Sequence, residues 1–187
     1  MTVDAARCCE IELRDGARLR IRPIHTDDVE RERAFIANLS EQSRYNRLMY
    51  SLREPSPDFV RQLTTVDYRD TMAIVAYEPD DDAETFVAVA RYARDSSGTG
   101  AEFAVTVADN WCQRGVGTAL VQALFWYAAQ QRITRIHGTL LANNERMRRL
   151  AERLGMDIAP ATEDARLLIA TLELAPLVGT AGPPHTV

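Results

Sequence analysis

The spacing of apolar and polar positions changes several times along the chain. Residues 10–24 read EIELRDGARLRIRPI, with apolar side chains at alternate positions on both sides of Asp15-Gly16. That alternation around an Asp-Gly pair predicts a β-hairpin. Thr26 follows as a candidate N-cap, with Asp27 and Asp28 where acids suit the helix dipole, so a helix is expected from 26 to about 39. SEQSRYNRLMY reads as a second helical piece, and Ser56-Pro57-Asp58 as the start of a third. The period then shortens. TMAIVAYE, ETFVAVARYARD and AEFAVTVAD, separated by the polar turns PDDDA and SSGTG, predict a three-stranded antiparallel meander. It lengthens again where Val116, Ala119, Leu120, Ala123, Leu124, Tyr127 and Ala128 fall on one helical face. ITRIHGTLLA reads as a strand, NERMRRLAERLG as a helix capped by Asn143 or Asn144 and closed by Gly155, and RLLIATLEL as a last strand. The tail from residue 175, carrying Gly179, Gly182, Pro183 and Pro184, is expected to be disordered.

This order of elements implies one α/β domain with a mixed sheet. The 187 residues suit a single domain, and 46% apolar content is ample for a core. The formal charge of -5 argues against general nucleic-acid binding and is compatible with cationic substrates. All 22 residues of the Lys+Arg count are Arg; the chain has no Lys. Cys8, Cys9 and Cys112 form neither a disulfide framework nor a zinc-ligand pattern, and His25, His137 and His185 show no ligand spacing, so no metal is expected. MTVDAARCCEIEL lacks a signal-peptide core, and no apolar run is long enough to span a bilayer. A cytoplasmic protein without membrane contact is the expectation.

The segment QRGVGT poses a chemical question, because it places two of the nine glycines at the mouth of the most apolar helix. A strand, a short turn and a glycine-bearing helix start can form an anion site, with free N–H groups and the positive end of the dipole facing one space. Arg114 adds a fixed positive charge. The Walker pattern would need a Lys that is absent, and a dinucleotide fold would need its glycines in an early βαβ unit rather than after a meander. A tight turn that binds nothing stays open on these residues alone.

Taken together, AEFAVTVADNWCQRGVGTALVQAL and LLANNERMRRLAERLGM resemble the GNAT superfamily of N-acetyltransferases. Its members read an acyl-CoA pyrophosphate with a [QR]-x-x-G-x-[GA] loop after their fourth strand, and carry an N-x-x-M…L-G-[MF] helix. The resemblance runs over residues 19–174 and is closest to the bacterial protein-lysine acetyltransferase subgroup. That subgroup shares an early arginine-rich segment like SEQSRYNRLMY and a Glu-containing strand like AEFAV. It implies an α/β GNAT fold, a mixed central sheet of about six to seven strands flanked by about four helices. It implies a domain over 19–174, with 1–18 as an N-terminal extension and first hairpin strand, and 175–187 as tail.

The resemblance also implies acetyl-CoA as co-substrate and assigns it to Val105, Thr106, Val107, Gln113, Arg114, Gly115, Val116, Gly117, Thr118 and Asn144. Strand alternation puts Glu102, Ala104 and Thr106 on one face and Phe103, Val105 and Val107 on the other. At about 3.3 Å per residue, Glu102 then lies well back from the glycine loop, where the thioester should arrive. A carboxylate there can take the acceptor's proton directly or through a water, and the family gives the matching Glu that role. Three positions depart from the family pattern, the first being Gln113, which falls where a small residue is common. Cys112 stands where Gln or Arg is usual, and a thiol beside a helix N-terminus and Arg114 is expected to ionise readily. Ala151 stands where many relatives have a Tyr acid. The implied reaction is direct acetyl transfer to an amine, first of all a protein lysine. A small-molecule amine acetyltransferase and a non-catalytic acyl-CoA sensor are the alternatives. Oligomeric state stays open.

Overall fold

The computed structural model describes residues 9–48, 55–79 and 82–175. Cys8, the Met49-Tyr50 end of the second predicted helix, and the tail from residue 176 lie outside the described residues.

The predicted hairpin forms as β1 (Cys9–Glu12) and β2 (Arg18–Pro23). Gly16 takes the left-handed φ of 82° that the turn requires. The following helix starts later than its sequence predicts. Thr26–Asp28 is a short 3₁₀ turn, and α1 spans Val29–Asn38. The cause is Asp28, which is buried rather than solvated. Its carboxylate accepts hydrogen bonds from the His25 N–H at 2.8 Å, from Arg22 at 2.7 and 2.9 Å, and from Arg31 at 3.0 Å. Next come α2 (Glu41–Leu48) and α3 (Pro57–Thr64). The start of α3 is as expected, with Pro57 in its first turn and the Ser56 Oγ accepting from the Phe59 N–H at 3.2 Å.

The meander is β3 (Thr71–Tyr77), β4 (Phe86–Arg94) and β5 (Gly100–Val107). Then α4 (Val116–Gln130) crosses back, so that β6 (Arg135–Leu141) runs parallel to β5. After α5 (Glu145–Arg153) come β7 (Asp157–Pro160) and β8 (Leu167–Glu173). One eight-stranded mixed sheet results, in the order β1-β2-β3-β4-β5-β6-β8-β7. The α/β class and mixed sheet are as expected, with eight strands and five helices among the described residues. The strand beyond the expected number is β7. Its four residues, DIAP, are too short to show alternation, and they pair at the sheet edge with β8.

Because both faces of the sheet are covered, its central strands are apolar on both sides. Met72, Ile74 and Ala76 of β3 join α4 in one cluster, while Ala73, Val75 and Tyr77 join Phe35, Ile36 and Leu39 in the other. Arg91 of β4 pins α1 through a 2.7 Å ion pair to the buried Glu32. One feature of the sheet prepares the site. β6 pairs with β8 along its whole length, but it meets β5 only from Gly100↔Arg135 to Glu102↔His137. Beyond Glu102 the two strands part.

Candidate active site

The gap between β5 and β6 is the root of a cavity of about 730 Å³. Residues 102–107 of β5 line it with Thr139 and Leu140 of β6, the start of α4, one face of α5, and Ser43, Asn46 and Arg47 of α2. Strand alternation holds as expected. Phe103 points to α4, its ring 5.3 Å from that of Phe125 in an edge-on contact. Glu102 is exposed at the point where the strands separate. Residues 103–107 still pair with β4 on one edge, and their other edge has no strand partner, which leaves backbone groups beside the cavity. Val105, Thr106 and Val107 all line it.

Above this edge the loop after β5 turns into α4. Gln113 and Gly115 take left-handed φ values of 65° and 96°, and Gly115 is the N-cap, with no side-chain cap bond. Among the described residues, no backbone N–H of residues 113–118 donates to a protein acceptor. Six consecutive donors therefore lie unspent at the positive end of a 15-residue helix. Gly117 answers the question of the second glycine. A Cβ there would stand 3.5 Å from the Val107 Cγ2 and 3.6 Å from the Leu150 Cδ2, which are ordinary contacts. The protein itself does not demand glycine; the space is left on the cavity side, where both neighbours line the wall. An anion can therefore approach the backbone closely.

Gln113, Gly115, Gly117 and Thr118 line the cavity, whereas Val116 is fully buried in the core and can contribute only its backbone. Arg114 is turned away. It lies over the Trp111 ring, 4.0 Å from the centroid, and its Nε donates to the Asp15 Oδ2 at 2.6 Å. Asn144 lines the cavity and caps α5, its Oδ1 accepting from the Met147 N–H at 3.1 Å. Arg146, Arg149 and Arg153 of α5 also face the cavity, and Arg148 does not. Arg153 escaped the sequence reading, although the 146, 149, 153 spacing marks one helical face. Ala151 is buried.

Cys112 corrects an expectation. It lines the cavity half-buried, and burial pushes its thiol up despite the opposing effect of Arg146. Its Sγ lies 3.7 Å from the Val107 carbonyl, a weak donor contact that favours the neutral thiol. Asp109 is a second residue that sequence reasoning missed. Its carboxylate accepts from the Ser40 N–H at 2.8 Å, the Ser40 Oγ at 2.9 Å and the Ser43 Oγ at 2.7 Å. Burial opposes its ionisation, but these bonds prevail and hold its pKa below the usual value. It thereby ties α2 to the loop after β5. No local pattern signals a contact across so many residues.

Comparison with known proteins identifies this arrangement. Residues 18–157 match the family described as the acetyltransferase (GNAT) domain. The chain belongs to the GNAT acetyltransferase family. It is 33% identical over 162 residues to an acetyltransferase of Pseudomonas aeruginosa, covering 87% of each chain. It is 30% identical over 168 residues to the acetyltransferase Pat of Mycolicibacterium smegmatis, covering 89% of this chain and 49% of that one. It thus spans about half of Pat's length. The crystal structure of the GNAT domain of S. lividans PAT superposes with a TM-score of 0.82 at 27% identity, over 89% of this chain and 97% of that one. As a GNAT domain the protein is an N-acetyltransferase with acetyl-CoA as co-substrate. Among the described residues, no cluster of His, Cys, Asp or Glu is placed to hold a metal, and no helix is long and apolar enough to cross a membrane.

Proposed function

We propose that this GNAT domain, residues 19–174, moves the acetyl group of acetyl-CoA directly onto a lysine side chain of another protein, with Glu102 as base. The observation that carries the reading is the position of Glu102. It stands exposed where β5 and β6 part, in the same cavity as Gln113, Gly115, Gly117 and Thr118, whose N–H groups are free. An exposed base at a cavity root suits a long acceptor chain reaching in from a second molecule. Similarity to Pat and to the PAT domain supports a protein acceptor.

In this reading the pyrophosphate rests on the loop of Gln113, Gly115, Gly117 and Thr118 and the backbone of Val116, and the pantetheine follows Val105, Thr106 and Val107. Asn144 and the arginines of α5 flank it. A lysine ammonium, with a pKa of about 10.4, must first lose a proton. Glu102 takes it, directly or through a water. The amine nitrogen then attacks the thioester carbon and the C–S bond breaks. The departing thiolate takes its proton from water, because Ala151 leaves no Tyr acid beside it. Cys112 has no covalent role.

The test is incubation with acetyl-CoA and cell lysate, followed by mass spectrometry of acetyl-lysine, beside a thiol-release assay over a panel of small amines. Since the chain has no Lys, no acetyl-lysine found can be its own. Acetylated lysines on lysate proteins that are absent when the protein is left out are the expected result. Thiol release with small amines alone would move the reading to a small-molecule enzyme, and CoA binding without turnover would make the domain a sensor.

A further inference from the structure

The loop of residues 112–117 raises a question that its phosphate chemistry does not answer. Its carbonyls from Gly115 onward accept from the next turn of α4, but its N–H groups make almost no hydrogen bonds. The Cys112 N–H reaches the Asp109 carbonyl at 3.4 Å, and residues 113–118 donate to no protein acceptor among the described residues. Two of its residues hold left-handed conformations, Gly115, which adopts one freely, and the non-glycine Gln113. For Gln113 such a conformation persists only where the surroundings impose it. Donors that await a ligand cannot do so, because they are unbonded until the ligand arrives.

Arg114 lies between the two left-handed residues and is fixed from both sides. Its guanidinium covers Trp111, which is itself buried at 7% exposure, and its Nε meets Asp15 at 2.6 Å. Asp15 is itself held in the hairpin turn. Its other oxygen accepts the Ala17 N–H at 3.1 Å, and the turn is closed by the Leu13 N–H to the Ala17 carbonyl at 2.8 Å and the Gly16 N–H to the Leu13 carbonyl at 2.9 Å. The contact joins residues 99 positions apart in sequence, the first hairpin and the mouth of α4. It lies outside the cavity lining.

We propose that Arg114 is a positioning residue: anchored on Asp15 and Trp111, it holds the loop in the shape that aims the N–H groups of residues 113–118 into the cavity, and it does not bind the phosphates itself. This rests on the cradle reading above. Its chemical content is preorganisation, in which the cost of ordering six donors is met during folding rather than at binding. A planar guanidinium can stack on an indole and bond a carboxylate at once, which an ammonium cannot.

The two roles for Arg114 predict opposite signs. If it were a phosphate ligand, Asp15 would compete for it, and Asp15→Asn would tighten CoA binding. If it is an anchor, Asp15→Asn and Arg114→Ala should each weaken CoA by about threefold to fivefold, the upper scale of a partly exposed ion pair. The double variant should be no weaker than either single one. Arg114→Lys should remain weak, although it keeps the charge. Turnover at saturating acetyl-CoA should stay near that of the unchanged protein, and Tm should hold, so that KM moves without kcat. Calorimetry with CoA on the full chain gives the affinities, and amide exchange of residues 113–118 without CoA should quicken in Asp15→Asn. Tighter or unchanged binding in Asp15→Asn, or full rescue by Arg114→Lys, overturns the proposal. Gly117→Asp is the control for the cradle itself: if that change leaves CoA binding intact, the phosphate reading fails, whatever Asp15 does.

Discussion

Glu102 and His137 are the last residues paired between β5 and β6, and the cavity begins where their pairing ends. A parallel pair that continued would close the gap from which the cavity opens. Stopping at Glu102 puts a carboxylate at the fork, with backbone of both strands open beyond it. Replacing Glu102 by Gln keeps shape and removes the proposed base. CoA affinity should be unchanged while kcat falls by about 10²-fold or more. The residual rate should climb with pH, as more acceptor amine is free without help. Normal turnover of the Gln variant near neutral pH would make Glu102 a bystander.

Gly117 separates stability from binding. An added Cβ meets only Val107 and Leu150 at ordinary distances, so Gly117→Ala should fold well and gain up to about 1 kcal/mol from helix propensity. The same methyl stands on the cavity side, so CoA binding should weaken. Gly117→Asp adds negative charge there and should weaken it far more. Calorimetry beside thermal melts tests both, and an Ala variant that loses stability and binding together would mean that the glycine serves the fold.

The pattern of apolar positions revealed the hairpin, the meander, α4 and α5, because each buries a face at its own period. It singled out Glu102 and Asn144, and both line the cavity. It misread what depends on partners distant in sequence. Asp28 looked like a first-turn acid placed for the helix dipole and is buried against Arg22, in the 3₁₀ turn ahead of α1. Arg114 looked like a phosphate ligand and faces Asp15 instead. Asp109 gave no signal, since its partners Ser40 and Ser43 lie over 60 residues away. In each case a charged side chain chose a partner that local spacing cannot show.

Cys112 provides a chemical check on the loop. Burial raises its thiol, so alkylation by iodoacetamide should run slower than that of a free thiol near neutral pH and accelerate in alkaline solution. Bound CoA should slow it further, because Cys112 lines the cavity. Cys112→Ser should stay active. Labelling with peptide mapping, with and without CoA, decides: rapid labelling that CoA does not affect would place the thiol outside the cavity.

The Asp28 site makes a prediction about acid stability. Burial opposes its charge, but hydrogen bonds from Arg22, the His25 N–H and Arg31 prevail, and its pKa lies below the unfolded value of 3.8. A carboxylate lowered in this way stabilises the fold above the unfolded pKa. That contribution disappears as the pH falls through the folded pKa, so the loss is confined to the region below about pH 4. Asp28→Asn leaves Arg22, which is nearly buried, without its strongest partner, and should cost about 3 kcal/mol at neutral pH, as breaking a buried pair does. The gap between the two proteins should then narrow as acid protonates Asp28 in the unchanged chain. Urea unfolding of both from neutral pH down to the acid limit measures that gap, and two stability curves that stay parallel throughout would show that Asp28 is not the group that titrates.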